Sequence, residues 1–209
     1  MDKHIIHRRI WLRAPLVALT LTLALLALLA ATARAGEFPH ERKGLVLGFN
    51  LGGGNAALQY DLFGTNVERE IENVFGGGGR IGYGLSDHVV LSLEGHGFGK
   101  TSGEADVQAV MTLVTVTWYP GGGGFFLRAG GGGGAANVTL PGPPAAVDWN
   151  EREAEGAAGV GLGYEWRLGR QFALGVALDA RGLSFEDLPL FRETTLGHGT
   201  ASLQLNWYL

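Results

Sequence analysis

The last ten residues of the chain alternate strictly between apolar and polar side chains, a period of two that predicts a β-strand. Soluble domains usually fray at a terminus, so an amphipathic terminal strand indicates that this strand completes a closed sheet. The simplest closed sheet with this pattern is a membrane β-barrel. The apolar face carries Leu203, Leu205, Trp207 and Leu209, and the polar face carries Ser202, Gln204, Asn206 and Tyr208.

Similar alternation recurs along the chain and predicts eight antiparallel strands. These strands cover residues 44–52, 72–84, 88–98, 107–119, 125–135, 156–166, 171–183 and 196–209. The connections after the even-numbered strands are short, whereas the predicted loops at 53–71, 99–106, 136–155 and 184–195 are longer and polar. Short turns on one rim and long loops on the other are typical of outer-membrane barrels. The sequence therefore predicts an all-β fold, an eight-stranded antiparallel up-and-down transmembrane β-barrel over residues 44–209.

Parity along these strands separates apolar from charged side chains. The outward set is Ile81, Tyr83, Leu91, Leu93, Val114, Val116, Leu127, Leu162, Tyr164, Leu174, Val176 and Leu178. The inward set includes three basic and three acidic residues: Arg80, Glu94, Arg128, Glu165, Asp179 and Arg181. A charge facing hydrocarbon costs about 2–4 kcal/mol at mid-depth, so a membrane barrel requires this separation. Eight strands leave room only for side chains, and we expect the six charges to fill the lumen as one network.

Aromatic residues cluster near the predicted strand ends. Trp118, Tyr119, Trp166, Trp207 and Tyr208 are placed where a membrane barrel carries its interfacial girdle. Ordinary packing of these rings in a core is the alternative interpretation.

The first 35 residues have the pattern of a Sec-type secretory signal peptide. A basic start precedes an apolar run over residues 16–31, and Ala33, Arg34 and Ala35 form a small-x-small cleavage site. A retained transmembrane helix is the alternative, because this run approaches the roughly 18–20 residues that span a bilayer. Cleavage would leave a short polar lead-in at residues 36–43 before the barrel.

Charge and cysteine content narrow the classes of function. Five of the 16 Lys and Arg residues and one of the 20 acidic residues lie in the leader, so the mature chain carries a formal charge of −8. This charge argues against nucleic acid as a partner. The chain contains no cysteine, which excludes a lipid anchor on an N-terminal Cys and any disulfide framework.

Four short segments resemble the small outer-membrane β-barrel family, the OmpA/OmpX-like proteins often labelled porin-like. The segments are Gly82-Tyr83-Gly84-Leu85-Ser86-Asp87, Trp118-Tyr119-Pro120 followed by Phe126-Leu127-Arg128-Ala129-Gly130, Gly161-Leu162-Gly163-Tyr164-Glu165, and Leu205-Asn206-Trp207-Tyr208-Leu209. Their order and spacing cover essentially the whole mature chain.

This resemblance implies a cell outer membrane of the Gram-negative type, contact with its lipid, and insertion by the barrel-assembly machinery. Leu205, Trp207, Tyr208 and Leu209 would form the C-terminal assembly signal, although family members usually end in Phe. The resemblance implies no catalytic residues.

The motifs that could carry chemistry are weak. The glycine runs at 76–79 and 130–134 lack the Gly-Lys-Ser/Thr and the helix of a phosphate loop. His198 and Ser202 share one face, but four residues of strand separate them by about 13 Å, too far for a nucleophile and its base. His96 lies near Glu94 on the inward face, where a histidine beside an acid is typical of a structural polar network. His88 is the third histidine of the predicted barrel. We expect no catalytic residue, no cofactor and no metal site.

Several functions stay open at this point. The first hypothesis is a non-enzymatic outer-membrane barrel whose loops serve surface interaction or envelope integrity. Its candidate loop contacts are Trp149, Leu188, Leu190 and Phe191. The alternatives are a narrow porin-like channel and a lipid-modifying barrel enzyme that hydrolyses acyl esters. A soluble barrel that binds an apolar ligand is disfavoured by the inward charges.

Overall fold

The computed structural model describes residues 41–102, 105–141, 146–186 and 192–209. Nine β-strands follow one another in this part of the chain: β1 Gly44–Leu62, β2 Thr65–Ser86, β3 Val89–Ser102, β4 Ala105–Trp118, β5 Phe125–Leu140, β6 Val147–Glu153, β7 Gly156–Arg167, β8 Phe172–Phe185 and β9 Arg192–Tyr208. A 3₁₀ turn, Pro120–Gly122, lies between β4 and β5. The predicted leader, residues 1–35, lies outside the described residues and stays a prediction.

Within the residues described, no helix is both long enough and apolar enough to cross a membrane.

The strands form one antiparallel sheet that closes on itself. Neighbouring strands follow the order β4, β3, β2, β1, β9, β8, β7 and β5, and β4 also pairs with β5. β6 and β7 share one position in this wall, because β6 pairs with β5 near Leu140 and β7 pairs with β5 nearer Phe125. The ring therefore has eight strand positions, and the predicted eight-stranded antiparallel barrel is confirmed.

The two rims of the barrel differ. The terminal end carries Gly44 at the start of β1 and Leu209 beside it, with the backbone N–H of Leu209 donating to the Leu45 carbonyl at 2.8 Å. The opposite rim, the far end, carries the turn at Phe63 and Gly64, both with positive φ, that joins β1 to β2.

Most residues of the predicted long loops belong to strands. Residues 53–71 extend β1 and β2 up to the turn at Phe63, and β6 lies inside the predicted loop at 136–155. The predicted bounds of the long polar loops were therefore wrong. The reason is that the outward side chains become polar towards the far end, while the backbone continues to pair as strands. Alternation of apolar and polar residues therefore predicts only the part of each strand that has apolar outward side chains.

The outer surface changes character along the barrel axis. An apolar band surrounds the half that is nearer the terminal end, and its most exposed large side chains include Phe49, Leu51, Phe75, Ile81, Tyr83, Leu93, Val114, Trp118, Val160, Leu162, Leu178 and Leu203. Towards the far end the outward positions are polar, as shown by exposed Asn55, Gln59, Glu68, Glu70, Gln108, Thr139, Asp148 and Thr195.

The interior changes in the opposite sense. Inside the apolar band most inward side chains are polar or charged, and a small apolar cluster that includes Val46, Val90 and Phe126 lies near the terminal end. The far end encloses a larger apolar cluster, the far-end core. Its buried members are Ala56, Leu58, Tyr60, Ile71, Val74, Phe98, Val107, Ala109, Met111, Leu113, Ala136, Val138, Leu140, Val147, Ala157, Leu183, Phe185 and Leu196. The interior of the barrel is thus mainly polar where the outside is apolar, and apolar where the outside is polar.

At the far end the closed wall divides into two facing sheets. β2 and β3 stop pairing beyond Phe75 and Gly99, and β7 and β8 stop beyond Gly156 and Ser184. The outer parts of β8, β9, β1 and β2 therefore face those of β3, β4, β5 and β6 across the far-end core. Arg69 of β2 bridges this division, since its Nη2 donates to the Pro141 carbonyl at 2.7 Å.

Inward glycines make room for the polar interior, and one of them provides a test. A Cβ added to Gly82 would lie 2.5 Å from the Leu91 carbonyl oxygen and 2.6 Å from Ser92 Cβ. We expect Gly82→Ala to lower the free energy of unfolding by about 1–3 kcal/mol, because overpacking displaces the backbone of β3. The measurement is urea unfolding of the refolded protein in detergent micelles, followed by tryptophan fluorescence.

The matched control is Gly95→Ala, at an outward strand position where an added Cβ meets nothing within 4 Å. This variant should unfold at the wild-type midpoint or slightly above it. Equal midpoints for the two variants would contradict the close packing inferred around Gly82.

Candidate functional site in the barrel interior

Four of the six predicted lumen charges form one ion-pair cluster, the central cluster of Glu94, Arg128, Asp179 and Arg181. Arg128 donates from Nη1 to Glu94 Oε2 at 2.9 Å and from Nη2 to Asp179 Oδ1 at 3.2 Å. Arg181 donates from Nη2 to Glu94 Oε1 at 2.8 Å. All four residues are buried. The cluster connects β3, β5 and β8 through charge-assisted hydrogen bonds, which are stronger than neutral ones.

The fifth residue, Glu165, belongs to a different cluster at the terminal end. Its Oε2 accepts from Tyr208 Oη at 2.8 Å, from Asn206 Nδ2 at 3.2 Å and from Tyr119 Oη at 3.3 Å. Its Oε1 accepts from Arg42 Nη2 at 2.9 Å, and both side chains of this ion pair are fully buried. Four side chains from three other parts of the chain thus converge on one carboxylate.

Two arginines stack on the tyrosines of this cluster. The Arg42 guanidinium lies 3.5 Å from the ring centroid of Tyr119, and that of Arg167 lies 3.7 Å from the ring centroid of Tyr208. Such stacking is favourable and strengthens when water is excluded. We call Arg42, Tyr119, Glu165, Arg167 and Tyr208 the terminal-end seal.

Backbone carbonyls complete the environment of Arg42. Its Nη2 donates to the Gly123 carbonyl at 2.7 Å, and its Nη1 donates to the Asp87 carbonyl at 2.9 Å and the Gly122 carbonyl at 3.2 Å. Burial alone would lower the pKa of Arg42, but the negative charge of Glu165 raises it above its usual value. Charged Arg42 therefore joins the start of β1 to the turn between β2 and β3 and to the turn between β4 and β5.

The sixth predicted residue, Arg80, contacts no carboxylate directly and is linked to Glu165 through the Asn206 amide. Its Nη2 donates to Asn206 Oδ1 at 2.8 Å. Glu94 lies directly opposite Arg80 in the β2–β3 register, but both carboxylate oxygens of Glu94 accept bonds from Arg128 and Arg181. The six residues are all buried, yet they do not form the single network that was expected.

Sequence reasoning missed Arg42 and Arg167. Arg42 was placed in the polar lead-in and Arg167 in a turn, yet both are almost completely buried. No periodic pattern extends to Arg42, because it precedes β1 and its partner Glu165 follows 123 residues later. Counting these two, the described interior contains five buried arginines against three buried carboxylates, so the expected balance of charges was wrong.

The aromatic girdle prediction was wrong for two of its five residues, Tyr119 and Tyr208, which point into the barrel. Trp166 alternates with inward Glu165 along β7 and packs on Tyr164, with ring centroids 5.1 Å apart. Tyr119, Tyr208 and Trp166 are buried, whereas Trp118 is 49% exposed and Trp207 is half-buried. The tyrosine hydroxyls reach Glu165 inside the barrel, and this partner was invisible from sequence position alone.

The predicted C-terminal assembly signal contains residues of both faces. Leu205 and Leu209 are exposed and Trp207 packs edge-on against Phe49, with ring centroids 6.1 Å apart, while Tyr208 points inward. A role in assembly stays a prediction.

The inward histidines lie between the central cluster and the far-end core. The ring of His198 stacks on Phe98 at 4.1 Å and on His96 at 5.8 Å between centroids. The hydroxyl of Thr200 lies 3.0 Å from His198 Nδ1. Both histidines are buried inside the barrel rather than on its outer face. Across the residues that the structure covers, no three His, Cys, Asp or Glu side chains are grouped as metal ligands.

Side chains fill the interior through successive layers. At the central cluster the remaining cavity measures about 10 Å³ and is lined by residues including Glu94, Arg128, Asp179 and Arg181. A cavity of this size holds about one water molecule. The terminal-end seal lies on one side of this layer and the far-end core on the other.

Of the four predicted loop contacts, one lies among the residues that the structure describes. Trp149 lies in β6, opposite Val138 in the backbone register. Leu188, Leu190 and Phe191 lie outside the described residues, so their role as contacts stays a prediction.

Comparison with known proteins gave similarity of structure but not of sequence. No protein-family model and no curated protein matches the chain. Among solved structures, the chain is similar to Neisserial surface protein A, with 11% identity and a TM-score of 0.49 over 78% of this chain and 97% of that one. It is similar to Ail, the attachment invasion locus protein of Yersinia pestis, with 11% identity and a TM-score of 0.48 over 78% and 99%. It is also similar to the N-terminal barrel domain of Pseudomonas aeruginosa OprF, with 17% identity and a TM-score of 0.41 over 79% of this chain and 97% of that one.

The closed ring, the apolar outer band and the charged interior together define a transmembrane β-barrel. Its closed ring of eight antiparallel strand positions is the fold class that the sequence predicted.

The terminal-end seal can be tested at Arg42. Arg42→Met removes the charge while keeping much of the alkyl volume, and it leaves the Glu165 carboxylate buried without its cation. We expect the free energy of unfolding to fall by about 3–5 kcal/mol, as is typical when one partner of a buried pair is removed. Urea unfolding in detergent micelles measures the change.

Lys43→Met is the matched control, since Lys43 is adjacent to Arg42 but exposed. It should leave the midpoint unchanged. If both variants unfolded like the wild type, the seal would have no stabilising role.

The central cluster can be tested at Arg128. Arg128→Met leaves Glu94 with Arg181 alone and removes a cation from Asp179. We expect a lower unfolding midpoint because Glu94 and Asp179 each lose one of two buried cations and then share Arg181. The exposed residue Arg170 supplies the control variant Arg170→Met, which should match the wild type. An unchanged midpoint for Arg128→Met would contradict the role of this cluster.

Proposed function

We propose that this protein is an integral, non-enzymatic outer-membrane barrel with a sealed lumen, and that its far end acts outside the cell. The observation that carries the proposal is the double reversal of polarity along the barrel axis. An apolar outside with a charged inside suits lipid, and a polar outside with an apolar inside suits water. The far half therefore has the surface of a water-exposed domain that stands on a lipid-embedded base.

The filled interior supports a structural barrel over the narrow porin. Aqueous channels occur in barrels of about sixteen strands or more, whereas this ring has eight strand positions. The far-end core adds a layer of buried aliphatic and aromatic side chains across the axis. Ions crossing the protein would have to displace that layer and the terminal-end seal.

The positions of the histidines argue against the lipid-modifying enzyme. An esterase acting on surrounding lipid needs its nucleophile and base where an acyl ester can reach them. His198 and Ser202 are buried on the inward face of β9, and His198 bonds to Thr200. His96 is equally buried, which leaves both histidines remote from lipid.

The far end offers a firm surface for interaction. Its hairpins are paired strands packed on the far-end core, so they present side chains from a rigid support. The tip residue Phe63 is 82% exposed and has a positive φ of 55°, a conformation that is uncommon for a bulky residue. We propose surface interaction or envelope integrity as the role, with membrane lipid and the barrel-assembly machinery as the other partners.

Location and orientation can be tested together with epitope insertions. We expect the native protein to fractionate with the outer membrane and to migrate faster on a gel before boiling than after it. An epitope inserted after Gly64, at the far-end tip, should bind antibody on intact cells. The same epitope inserted after Gly169, in the turn between β7 and β8, should bind only after permeabilisation.

Recovery in the soluble periplasm without a heat-dependent mobility shift would contradict the proposal. Steady ionic conductance of the purified protein in a planar bilayer would instead favour the porin-like channel.

A further inference from the structure

A furrow runs along the outer face of the barrel within the apolar band. Its floor consists of five outward glycines of β2 and β3: Gly77, Gly79, Gly95, Gly97 and Gly99. Gly79 lies opposite Gly95 and Gly77 lies opposite Gly97 in the register of the two strands, so the floor is continuous. The open groove that includes Gly77 and Gly97 and is bordered by Val110 of β4 measures about 910 Å³.

Neither backbone conformation nor packing inside the barrel explains glycine at three of these positions. None of Gly79, Gly95 and Gly97 has a positive φ. A Cβ added to Gly95 would meet nothing within 4 Å, and at Gly79 and Gly97 the nearest atom would lie at 3.6 Å, an ordinary contact. The inward Gly78 differs, because its added Cβ would lie 2.1 Å from the Gly95 carbonyl oxygen. Glycine weakens a strand and often marks the close approach of another backbone or a ligand, so the furrow serves a contact from outside the barrel.

A ridge of large apolar side chains borders the furrow on its β1 side. Phe49 lies opposite Gly79 and is 60% exposed, and Leu51 lies opposite Gly77 and is 71% exposed. Phe75 of β2, which is 72% exposed, adds a third side chain to this ridge. The outer surface thus carries a ridge, formed by Phe49, Leu51 and Phe75, directly beside a furrow.

This arrangement is complementary to itself. Two copies inserted in the same direction are related by a twofold axis along the membrane normal, which exchanges left and right without changing height. The ridge of each copy then faces the furrow of the other. Strand tilt displaces the furrow from the ridge by about 5 Å in height, whereas Gly95 and Gly99 lie about 13 Å apart along β3, so the ridge and the furrow overlap.

The apolar area is sufficient for a specific contact. The ridge and the borders of the furrow carry six apolar side chains that are each at least half exposed: Phe49, Leu51, Phe75, Ile81, Leu93 and Val110. At roughly 100 Å² each they offer about 600 Å² per copy, or about 1,200 Å² in a dimer, which reaches the range of specific protein interfaces. Lipid chains adapt to any surface, whereas membrane proteins associate through close packing that small residues permit.

We infer that the furrow binds the ridge of a second copy, so that the protein forms a twofold dimer within the membrane. Phe49, Leu51 and Phe75 of each copy pack on the glycine floor of the other. This inference rests on the proposed embedding of the apolar band in lipid, and it adds a second copy of this chain as a partner.

Cysteine cross-linking tests the contact directly, because the chain contains no cysteine. Leu51→Cys and Gly97→Cys proteins are refolded together into phosphatidylcholine vesicles at a high ratio of lipid to protein. A short bismaleimide should join them into a dimer that survives denaturation and yields a cross-linked peptide pair from both variants. Val160→Cys, on the outward face of β7, replaces Gly97→Cys in the matched control and should give only background product.

Heat-dependent gel mobility of each variant is measured first. A variant series without this shift would contradict the barrel itself, whereas folded proteins that give no product above the control would overturn the dimer alone.

Energy transfer between labelled copies provides an independent readout. Donor and acceptor dyes are attached at Gly169→Cys, in the turn between β7 and β8, and the two preparations are mixed in the same vesicles. Gly97→Leu fills the furrow and should reduce the transfer to the level of random mixing. Ala201→Leu, at an exposed outward position of β9, should retain it.

Transfer that persists unchanged in Gly97→Leu would overturn the assignment to the furrow. A folded wild type without transfer would be a monomer whose furrow is filled by lipid, and this outcome would overturn the proposal.

Discussion

Closure of the sheet is the constraint on which the rest of this structure depends. Backbone N–H and C=O groups cannot face hydrocarbon unpaired, so β4 must meet β5 and β9 must meet β1 around the ring. Once the ring is closed, every second side chain is confined to a narrow interior. Charged residues in this interior therefore pair with one another, with backbone carbonyls, with the Asn206 amide and with the tyrosines.

That confinement explains why buried charge is distributed in layers. Arg42, Glu165 and Tyr208 come from distant parts of the chain and meet only after the ring has closed. The terminal-end seal therefore cannot form in an open sheet. Beyond the central cluster the outward side chains are polar and the inward ones are apolar, the arrangement that suits a water-exposed domain. Arg80 bonds to the Asn206 amide, since the carboxylate opposite it accepts bonds from Arg128 and Arg181.

Much of the fold could be predicted because it depends on a local pattern. Period-two alternation placed the strands that contain Arg128 and Asp179 and assigned both side chains to the interior, where they are buried. The contacts within the candidate site could not be predicted in the same way. Parity identifies the face of a side chain but not its partner, so Glu165 was grouped with Glu94 although they belong to different clusters.

The sequence by itself determined the class of fold, the side of each strand that faces inward, and the segregation of charge from the outer band, since all three follow from neighbouring residues. Only the tertiary structure decided how far the strands extend, that the far end is apolar inside, and that Arg42 and Tyr119 close the terminal end. These features depend on pairing across the ring between residues far apart in the chain. Alternation within one strand carries no information about what lies opposite it across the lumen.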